Sequence, residues 1–152
     1  MISQTAEYAL RAVVALGSQR GVTMTTQQIA SRTCVPAGYL AKVLQALGRA
    51  GLVEGQRGLG GGFALTRPLN EISVLDVINV VDPVKRIERC PLGRPEHEQR
   101  MCALHRRLDL GIALIEQLFA GTTIDELLDD SDPGRALCEQ AAADPGAARS
   151  RR

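Results

Sequence analysis

The chain has 152 residues, of which 45% are hydrophobic, and its formal net charge is +1. This length suits one compact domain with an appendage or a tail, and the lack of any run of about 18 apolar residues excludes a transmembrane helix. Residues 1–5 lack the basic and apolar stretches of a signal peptide, so we expect a cytoplasmic protein.

Aromatic residues are scarce in this chain, and its charged residues are unevenly distributed. Aromatic residues make up only 3% of the chain and Trp is absent, which predicts an aliphatic core. Acidic residues gather in 125–132, whereas Arg49, Arg57 and Arg67 lie in a stretch with few acids. A locally basic surface on a near-neutral chain is compatible with the binding of phosphate groups.

The first predicted helix covers residues 6–16. Glu7 and Arg11 are spaced to pair on its polar side, and Gly17 and Gly21 are expected to close it. Its other side carries apolar residues at helical spacing, namely Ala6, Ala9, Leu10, Val13, Val14 and Leu16.

Two more helices follow at once. Thr25-x-x-Gln28 fits a capping box and opens a short helix over residues 27–33. Residues 34–38 contain a proline that favours a turn, and the next helix runs over residues 37–50 up to a glycine stop. The buried side of that third helix is predicted to consist of Leu40, Val43, Leu44 and Leu47.

A hairpin is predicted directly after the third helix. Residues 52–54 and 63–65 are short strand candidates, and residues 55–62 between them are rich in glycine and include Arg57. Strand, glycine-rich turn and strand in this order are typical of a two-stranded β-hairpin.

Beyond the hairpin, Ser73 is placed to cap a short helix over residues 74–81. Residues 84–102 show no periodicity and contain Pro91, Gly93 and Pro95, which favours a loop.

Helical periodicity returns over residues 103–119, and Thr122 or Thr123 is expected to cap a last short helix over 124–128. The apolar stripe of the longer helix comprises Leu104, Leu108, Ile112, Ile115, Leu118 and Phe119. Residues 132–152 offer little to bury, so we expect a disordered tail.

This order of elements predicts a mainly α fold, a winged helix-turn-helix with a small two-stranded β wing. The third helix would enter a DNA major groove, presenting Tyr39 and Lys42 to bases or phosphates, and Arg57 at the wing would contact the backbone or the minor groove. The candidate DNA-binding residues are Thr26, Gln28, Ala37, Gly38, Tyr39, Lys42, Arg49, Arg57, Gly58 and Gly60, with Ala41 and Gln45 also on the outer side of the third helix.

Other function classes stay open at this point. Helix-turn-helix patterns are not very specific, so a helical domain or interaction module without a DNA role is the main alternative. The glycine run lacks the Gly-Lys-Ser/Thr ending of a phosphate-binding loop and lies between strands, which argues against nucleotide binding. No Cys-x-x-Cys, His-Glu-x-x-His or Gly-x-Ser-x-Gly motif supports an enzyme.

Four segments together resemble the Rrf2 family of bacterial transcription regulators, which includes the IscR and NsrR types. They are Glu7-Tyr8-Ala9-Leu10-Arg11, Tyr39-Leu40 through Ala50-Gly51-Leu52-Val53, Arg57-Gly58-x-Gly60-Gly61-Gly62-Phe63-x-Leu65 and Ile72-Ser73-Val74-Leu75-Asp76-Val77-Ile78. The resemblance covers about residues 1–130, and the combined motifs are far more specific than any one of them.

The resemblance implies a homodimer that binds roughly palindromic double-stranded DNA operators and pairs through a long C-terminal helix. Under this interpretation residues 1–83 are the DNA-binding domain, 84–102 a cysteine-containing sensor loop, and 103–131 the dimerisation helix with a short terminal helix. An exposed apolar helix needs a partner to cover it, and a second copy supplies one.

The resemblance also implies an iron–sulfur cluster in the loop before the dimer helix. Cys90 and Cys102 stand where the outer family cysteines lie, but Glu96-His97 occupies the place of the middle cysteine. Imidazole can replace thiolate in a two-iron cluster. The ligands implied for a 2Fe-2S cluster are Cys90, Cys102, His105 and Glu7, the last from the other subunit, with Glu96 or His97 as substitutes.

Three alternatives remain for these residues. The first is zinc bound by two cysteines and two histidines, Cys90, Cys102, His97 and His105. The second is a regulatory disulfide between Cys90 and Cys102, and the third is no cofactor. Cys34 in the predicted turn is expected to be a small buried residue, and Cys138 lies in the tail without an assigned role.

Overall fold

The computed structural model describes residues 2–19, 21–94 and 101–129. The chain runs α1–α2–α3–β1–β2–α4–α5–α6, with a short 3₁₀ turn at Leu69–Glu71 before α4. The elements are α1 (Gln4–Ser18), α2 (Thr26–Thr33), α3 (Ala37–Arg49), β1 (Val53–Gln56), β2 (Gly62–Leu65), α4 (Val74–Val81), α5 (Ala103–Gly121) and α6 (Ile124–Leu127). The predicted winged helix-turn-helix is confirmed.

Helix α1 lies at the centre of the core and packs against α2, α3, α4 and α6. Its buried face carries mostly small and aliphatic residues, which lets the neighbouring helices approach closely. The fully buried large side chains of the core are Ile29, Leu40, Leu44, Leu47, Ile72 and Ile124. The prediction of an aliphatic core is therefore correct.

Side-chain caps begin most of these helices. Ser3 caps α1, which therefore starts at Gln4, two residues before the predicted start. Complete capping boxes open three others, with Thr25 and Gln28 at α2, Ser73 and Asp76 at α4, and Thr123 and Glu126 at α6. Each box satisfies backbone N–H groups that have no partner inside the helix.

Gly17 does not end α1 as predicted, because the helix continues to Ser18. A Cβ atom at Gly17 would lie 2.8 Å from a methyl carbon of Leu69 and 3.0 Å from one of Leu128. A larger residue at this position would therefore push these two leucine side chains aside, and the glycine lets them lie against α1.

The turn between α2 and α3 contradicts one expectation. Cys34 is exposed, not buried, and it adopts the left-handed conformation with φ of 55° at the end of α2. The buried position in the turn is taken instead by Val35, which is 2% exposed.

The wing is an antiparallel pair in which Val53 lies opposite Leu65 and Gln56 opposite Gly62. The first strand begins at Val53 and continues to Gln56, so it lies further along the chain than predicted. Met24 and Phe63 exchange backbone hydrogen bonds of 2.9 and 2.8 Å, which attach the second strand to the segment before α2. The wing is therefore fixed to the helix-turn-helix.

The residues after α5 pack against the core again. Helix α5 packs against α4, and Val74 donates to the Thr122 carbonyl while Ile124 donates to the Ile72 carbonyl, both at 2.9 Å. These bonds seat α6 against the core. The predicted tail at 132–152, with Cys138, lies outside the described residues.

Candidate functional site

Helix α3 buries one face and leaves the other in solvent. Leu40, Val43, Leu44 and Leu47 are buried as predicted. The exposed face carries Gly38, Tyr39, Ala41, Lys42, Gln45 and Arg49. Ala37 is half-buried and packs against the core, so its methyl group is partly withdrawn from this surface.

Two side chains of α1 contact the helix-turn-helix near its turn. The ring of Tyr8 meets the Tyr39 ring edge-on with 6.3 Å between centroids, although Tyr39 remains 62% exposed. Arg11 pairs with Glu7, as predicted, and also donates to the Thr33 carbonyl at 3.2 Å. A displacement of α1 would therefore be felt at both ends of the turn before α3.

Thr26 and Gln28 lie at the start of α2. The Gln28 side-chain oxygen accepts a hydrogen bond from the Thr25 N–H at 2.8 Å, which uses this oxygen for capping. Gln28 is otherwise exposed, and Thr26 is half-buried. The amide group of Gln28 thus has a structural role that the capping pattern predicts.

The tip of the wing is a tight turn closed by a hydrogen bond of 2.9 Å from the Gly61 N–H to the Gly58 carbonyl. Gly58 and Gly60 have φ of 101° and 77°, a conformation that other residues rarely adopt. The Thr23 hydroxyl donates to the Gly60 carbonyl at 2.7 Å and ties the tip to the body. Arg57 is exposed, and so is Leu59, an apolar residue that sequence analysis did not single out.

The second candidate site is a group of three side chains at the start of α5. The ligand atoms of Cys90, Cys102 and His105 all lie within 4.8 Å of one another. His105 Nδ1 is 3.1 Å from the Cys102 sulfur and 3.5 Å from the Cys90 sulfur. Cys102 is the residue directly before the first turn of α5, and His105 follows three residues later. Helix α5 therefore places two members of the group, and the loop supplies the third.

The chemistry of this group suits a metal. Two thiolates and an imidazole around one tetrahedral ion would lie roughly 3.5 Å apart, given bonds of about 2.3 Å to sulfur and about 2.0 Å to nitrogen. Burial raises the pKa of the Cys90 thiol, but N–H groups of Leu92 and Cys102, the Cys102 side chain and the charge of Arg94 together lower the pKa below its ordinary value. The thiolate form that metals bind is thereby favoured.

Of the other predicted ligands, Glu7 is not part of this group within one chain. Glu7 pairs with Arg11 on α1, and the group of possible ligands found among the described residues does not include it. Glu96 and His97 lie outside the described residues. The described residues of one chain thus offer three ligands, one fewer than a four-coordinate metal would need.

Sequence analysis missed the residues that hold the cysteine loop in place. Arg86, in the loop, forms a two-pronged ion pair with Asp109 on α5. The two residues are far apart in sequence, and only the folded chain brings them together, so no pattern in the sequence could have indicated the pair.

Comparison with known proteins gives the same classification. The family of iron-dependent transcriptional regulators called Rrf2 matches residues 2–130. An HTH-type transcriptional regulator of Aquifex aeolicus is 30% identical over 131 residues, which cover 84% of this chain and 91% of the relative. The protein aau3 of Rhizobium meliloti is also 30% identical over 131 residues, covering 84% of each chain.

Two solved structures share the fold. CymR, the global cysteine regulator of B. subtilis, superposes with a TM-score of 0.74 at 24% identity, covering 87% of this chain and 98% of CymR. IscR of T. potens superposes with a TM-score of 0.72 at 23% identity, covering 87% of this chain and 88% of IscR.

The fold and the exposed helix define a winged-helix transcription regulator. The chain belongs to the Rrf2 family, as its resemblance predicted. Its relatives are transcriptional regulators and not enzymes. Among the described residues, no helix is both long enough and apolar enough to cross a membrane.

Proposed function

We propose that the protein is a cytoplasmic homodimer that binds a specific DNA operator and regulates transcription in response to a metal cofactor. The observation that carries the DNA-binding part is the two-sided nature of α3. One face is locked into the core by four buried aliphatic side chains, while Tyr39, Lys42 and Arg49 face solvent beside a tethered wing.

The proposed contacts follow from this arrangement. Gly38 and Ala37 at the start of α3 let the backbone approach the major groove, and Tyr39 and Lys42 donate hydrogen bonds to bases or phosphates. The N-terminus of α2, with Thr26 and Gln28, and Arg49 at the other end of α3 contact the phosphate backbone. Arg57, Gly58 and Gly60 of the wing contact phosphate or the minor groove.

Binding of the protein to its own upstream region, followed by fluorescence anisotropy at several salt concentrations, tests this proposal. Replacing one phosphate-contacting cation lowers the slope of log K against log salt by about 0.9 and weakens binding to all sequences. We therefore expect Arg57→Ala and Lys42→Ala to reduce both affinity and slope. Lys85→Ala, which removes the same charge from the loop after α4, should change neither.

An Arg57→Ala protein with an unchanged affinity and salt slope would remove the proposed role of the wing. Failure of the wild-type protein to bind any fragment of its upstream region would favour an interaction module instead.

The dimer is proposed to form through α5. Leu104, Leu108, Ile115 and Leu118 are all exposed on this helix, by 62, 51, 46 and 64% respectively. Their spacing of four, seven and three residues with Gly111 between them follows a heptad pattern, and this pattern favours pairing with a second helix. Half-sites one helical turn apart would then face the two α3 helices.

The sensing part is proposed to depend on an iron–sulfur cluster of the 2Fe-2S type, held by Cys90, Cys102 and His105. The matched family is described as iron-dependent, and these three residues converge as a metal site requires. Glu7 of the partner subunit is the proposed fourth ligand. When bound, the cluster would supply a group whose charge and ligation change with redox state or nitric oxide.

The proposed route from this site to DNA runs through α1. Glu7 lies next to Tyr8, which contacts Tyr39, and it pairs with Arg11, which holds the Thr33 carbonyl at the turn. A change in how Glu7 is held would shift the start of α3, and operators tolerate little error in the spacing of two such helices. Equal operator affinity of the metal-free and loaded protein would exclude this route.

Anaerobic purification tests the cofactor. We expect visible absorption together with iron and sulfide in equal amounts, and loss of both in Cys90→Ser and Cys102→Ser. A colourless protein with neither iron nor sulfide would rule out the cluster. Stoichiometric zinc in its place would favour the tetrahedral alternative, to which the spacing of the three ligand atoms is suited.

A further inference from the structure

Asp109 is the carboxylate that makes the shortest contacts between the loop before α5 and this helix. Asp109 accepts hydrogen bonds from Arg86 Nε at 2.7 Å and Nη2 at 2.6 Å, and its Oδ1 also accepts from the Ile87 N–H at 2.9 Å. The side chain of Asp109 is only 13% exposed. A two-pronged pair of this kind is a strong and directional contact.

The same face of α5 carries both the carboxylate and the possible metal ligands. At about 100° per residue, Cys102, His105, Asp109 and Glu116 fall within an arc of roughly 60°. The exposed leucine stripe is centred roughly 120° away from this arc. Contacts made by Asp109 therefore act on the ligand side of the helix and leave the proposed dimer surface alone.

Cys90 is the member of the group that most needs such support. Cys102 and His105 are placed by α5, whereas Cys90 lies in a segment to which the structure assigns no helix or strand. It follows Ile87 by three residues, which span at most about 10 Å. Fixing Ile87 and Arg86 on Asp109 thus confines the Cys90 sulfur to the neighbourhood of His105.

We propose that Asp109 is a positioning residue for the metal site, which seats Cys90 against Cys102 and His105 by clamping Arg86 and Ile87. This inference rests on the proposed metal site. Outer contacts that orient a ligand commonly contribute about 10- to 100-fold to metal affinity. We call the contacts of Asp109 with Arg86 and Ile87 the clamp. Its carboxylate stays charged in any ordinary buffer, since Arg86 and the Ile87 N–H lower the pKa of Asp109 to about 2.

The test is an anaerobic titration of the full-length, reduced protein with Co²⁺, in a background carrying Cys34→Ser and Cys138→Ser. Only Cys90 and Cys102 can then give sulfur-to-cobalt charge-transfer absorption. We expect Asp109→Asn to bind Co²⁺ about 10- to 100-fold more weakly. At saturation, its charge-transfer absorption per bound cobalt should fall to about half that of the background protein, because Cys90 drops out.

Glu116→Gln is the matched control. Glu116 is the more distant partner of Arg86, at 3.7 Å, and the Ile87 N–H donates to Asp109 instead. Removing its charge by the same acid-to-amide change should alter cobalt affinity by less than about threefold. Arg86→Met removes the other partner of the Arg86–Asp109 pair and should reproduce the effect of Asp109→Asn. Circular dichroism checks that each variant is folded, and the second variant keeps the test valid if the first folds poorly.

The outcomes separate the two proposals. If the background protein binds no Co²⁺ and, purified anaerobically, holds no iron and sulfide, the metal site itself is wrong and Asp109 has no ligand to position. If it binds, and both Asp109→Asn and Arg86→Met keep the same affinity and the same absorption per cobalt, only the clamp is wrong. A loss in affinity with full charge-transfer intensity would also overturn it, because Cys90 would still be bound.

Discussion

The helix-turn-helix region and helix α5 bury their residues very differently. Helices α1 and α3 contribute 12 buried residues between them, eight and four respectively. None of the 19 residues of α5, all of which the structure describes, is buried. The first region is covered by its own chain, whereas α5 packs against α4 on one side and its exposed leucines are covered by none of the described residues.

This difference has an energetic meaning. Most helical stability in proteins comes from packing of an apolar face and not from the intrinsic propensity of the helix. Burying a leucine side chain completely contributes about 1.5–3 kcal/mol. Four exposed members of the α5 stripe therefore represent a large stabilisation that the described part of the chain leaves unrealised, and the proposed dimer would supply it.

A substitution in the core of the helix-turn-helix region should have the largest effect on stability. Leu44 is fully buried on the inner side of α3, and we expect Leu44→Ala to lower the free energy of unfolding by about 2–5 kcal/mol, because it removes apolar contacts and leaves a cavity. Urea denaturation followed by circular dichroism measures this. Leu110→Ala is the control, since Leu110 is 50% exposed on α5 and lies away from the stripe. Equal losses in the two variants would contradict the contrast between the regions.

A charge in the α5 stripe should act on association and not on folding. At a two-fold interface Leu108→Glu places two carboxylates against apolar surface, so we expect the dimer dissociation constant to rise by about 100-fold or more, which corresponds to roughly 3 kcal/mol. Analytical ultracentrifugation over a concentration series measures it.

The matched control is Leu92→Glu, which adds the same charge at another exposed leucine in the cysteine loop. It should leave the association state unchanged. A Leu108→Glu protein that sediments as the wild type does would show that α5 is not the dimer surface.

The sequence predicted what depends on local signals. Thr25 and Ser73 identified helix starts, Thr123 was one of two candidates for a third, and the glycine run identified the wing. Caps and turns are determined by neighbours in the chain. The apolar stripe of α5 was read as one surface, yet Ile112 and Phe119 are half-buried and Phe119 packs against the core, while Leu104 and Leu118 are exposed. Periodicity shows which side is apolar but not what covers it.

In the candidate metal site, too, the sequence indicated some of the residues and not others. Cys90, Cys102 and His105 were brought together by family resemblance and by the helical spacing of the last two, and the structure places them in one group. Their support by Asp109 and Arg86 could not be predicted, since it depends on how the loop folds back over α5. The exposure of Cys34 was also mispredicted, because the left-handed turn places Val35 and not Cys34 in the core.

The smallest expected effect compares one cap in each region. The Thr25 hydroxyl accepts from the Gln28 N–H at 3.2 Å, and the Thr123 hydroxyl accepts from the Glu126 N–H at 3.3 Å. We expect Thr25→Ala and Thr123→Ala each to lower the free energy of unfolding by about 1 kcal/mol. Only Thr25→Ala should also weaken operator binding, because α2 braces α3 while α6 lies against the core at Ile72. Urea denaturation and fluorescence anisotropy on the same samples measure both effects, and an equal loss of DNA affinity in the two variants would mean that the regions are coupled more tightly than their packing indicates.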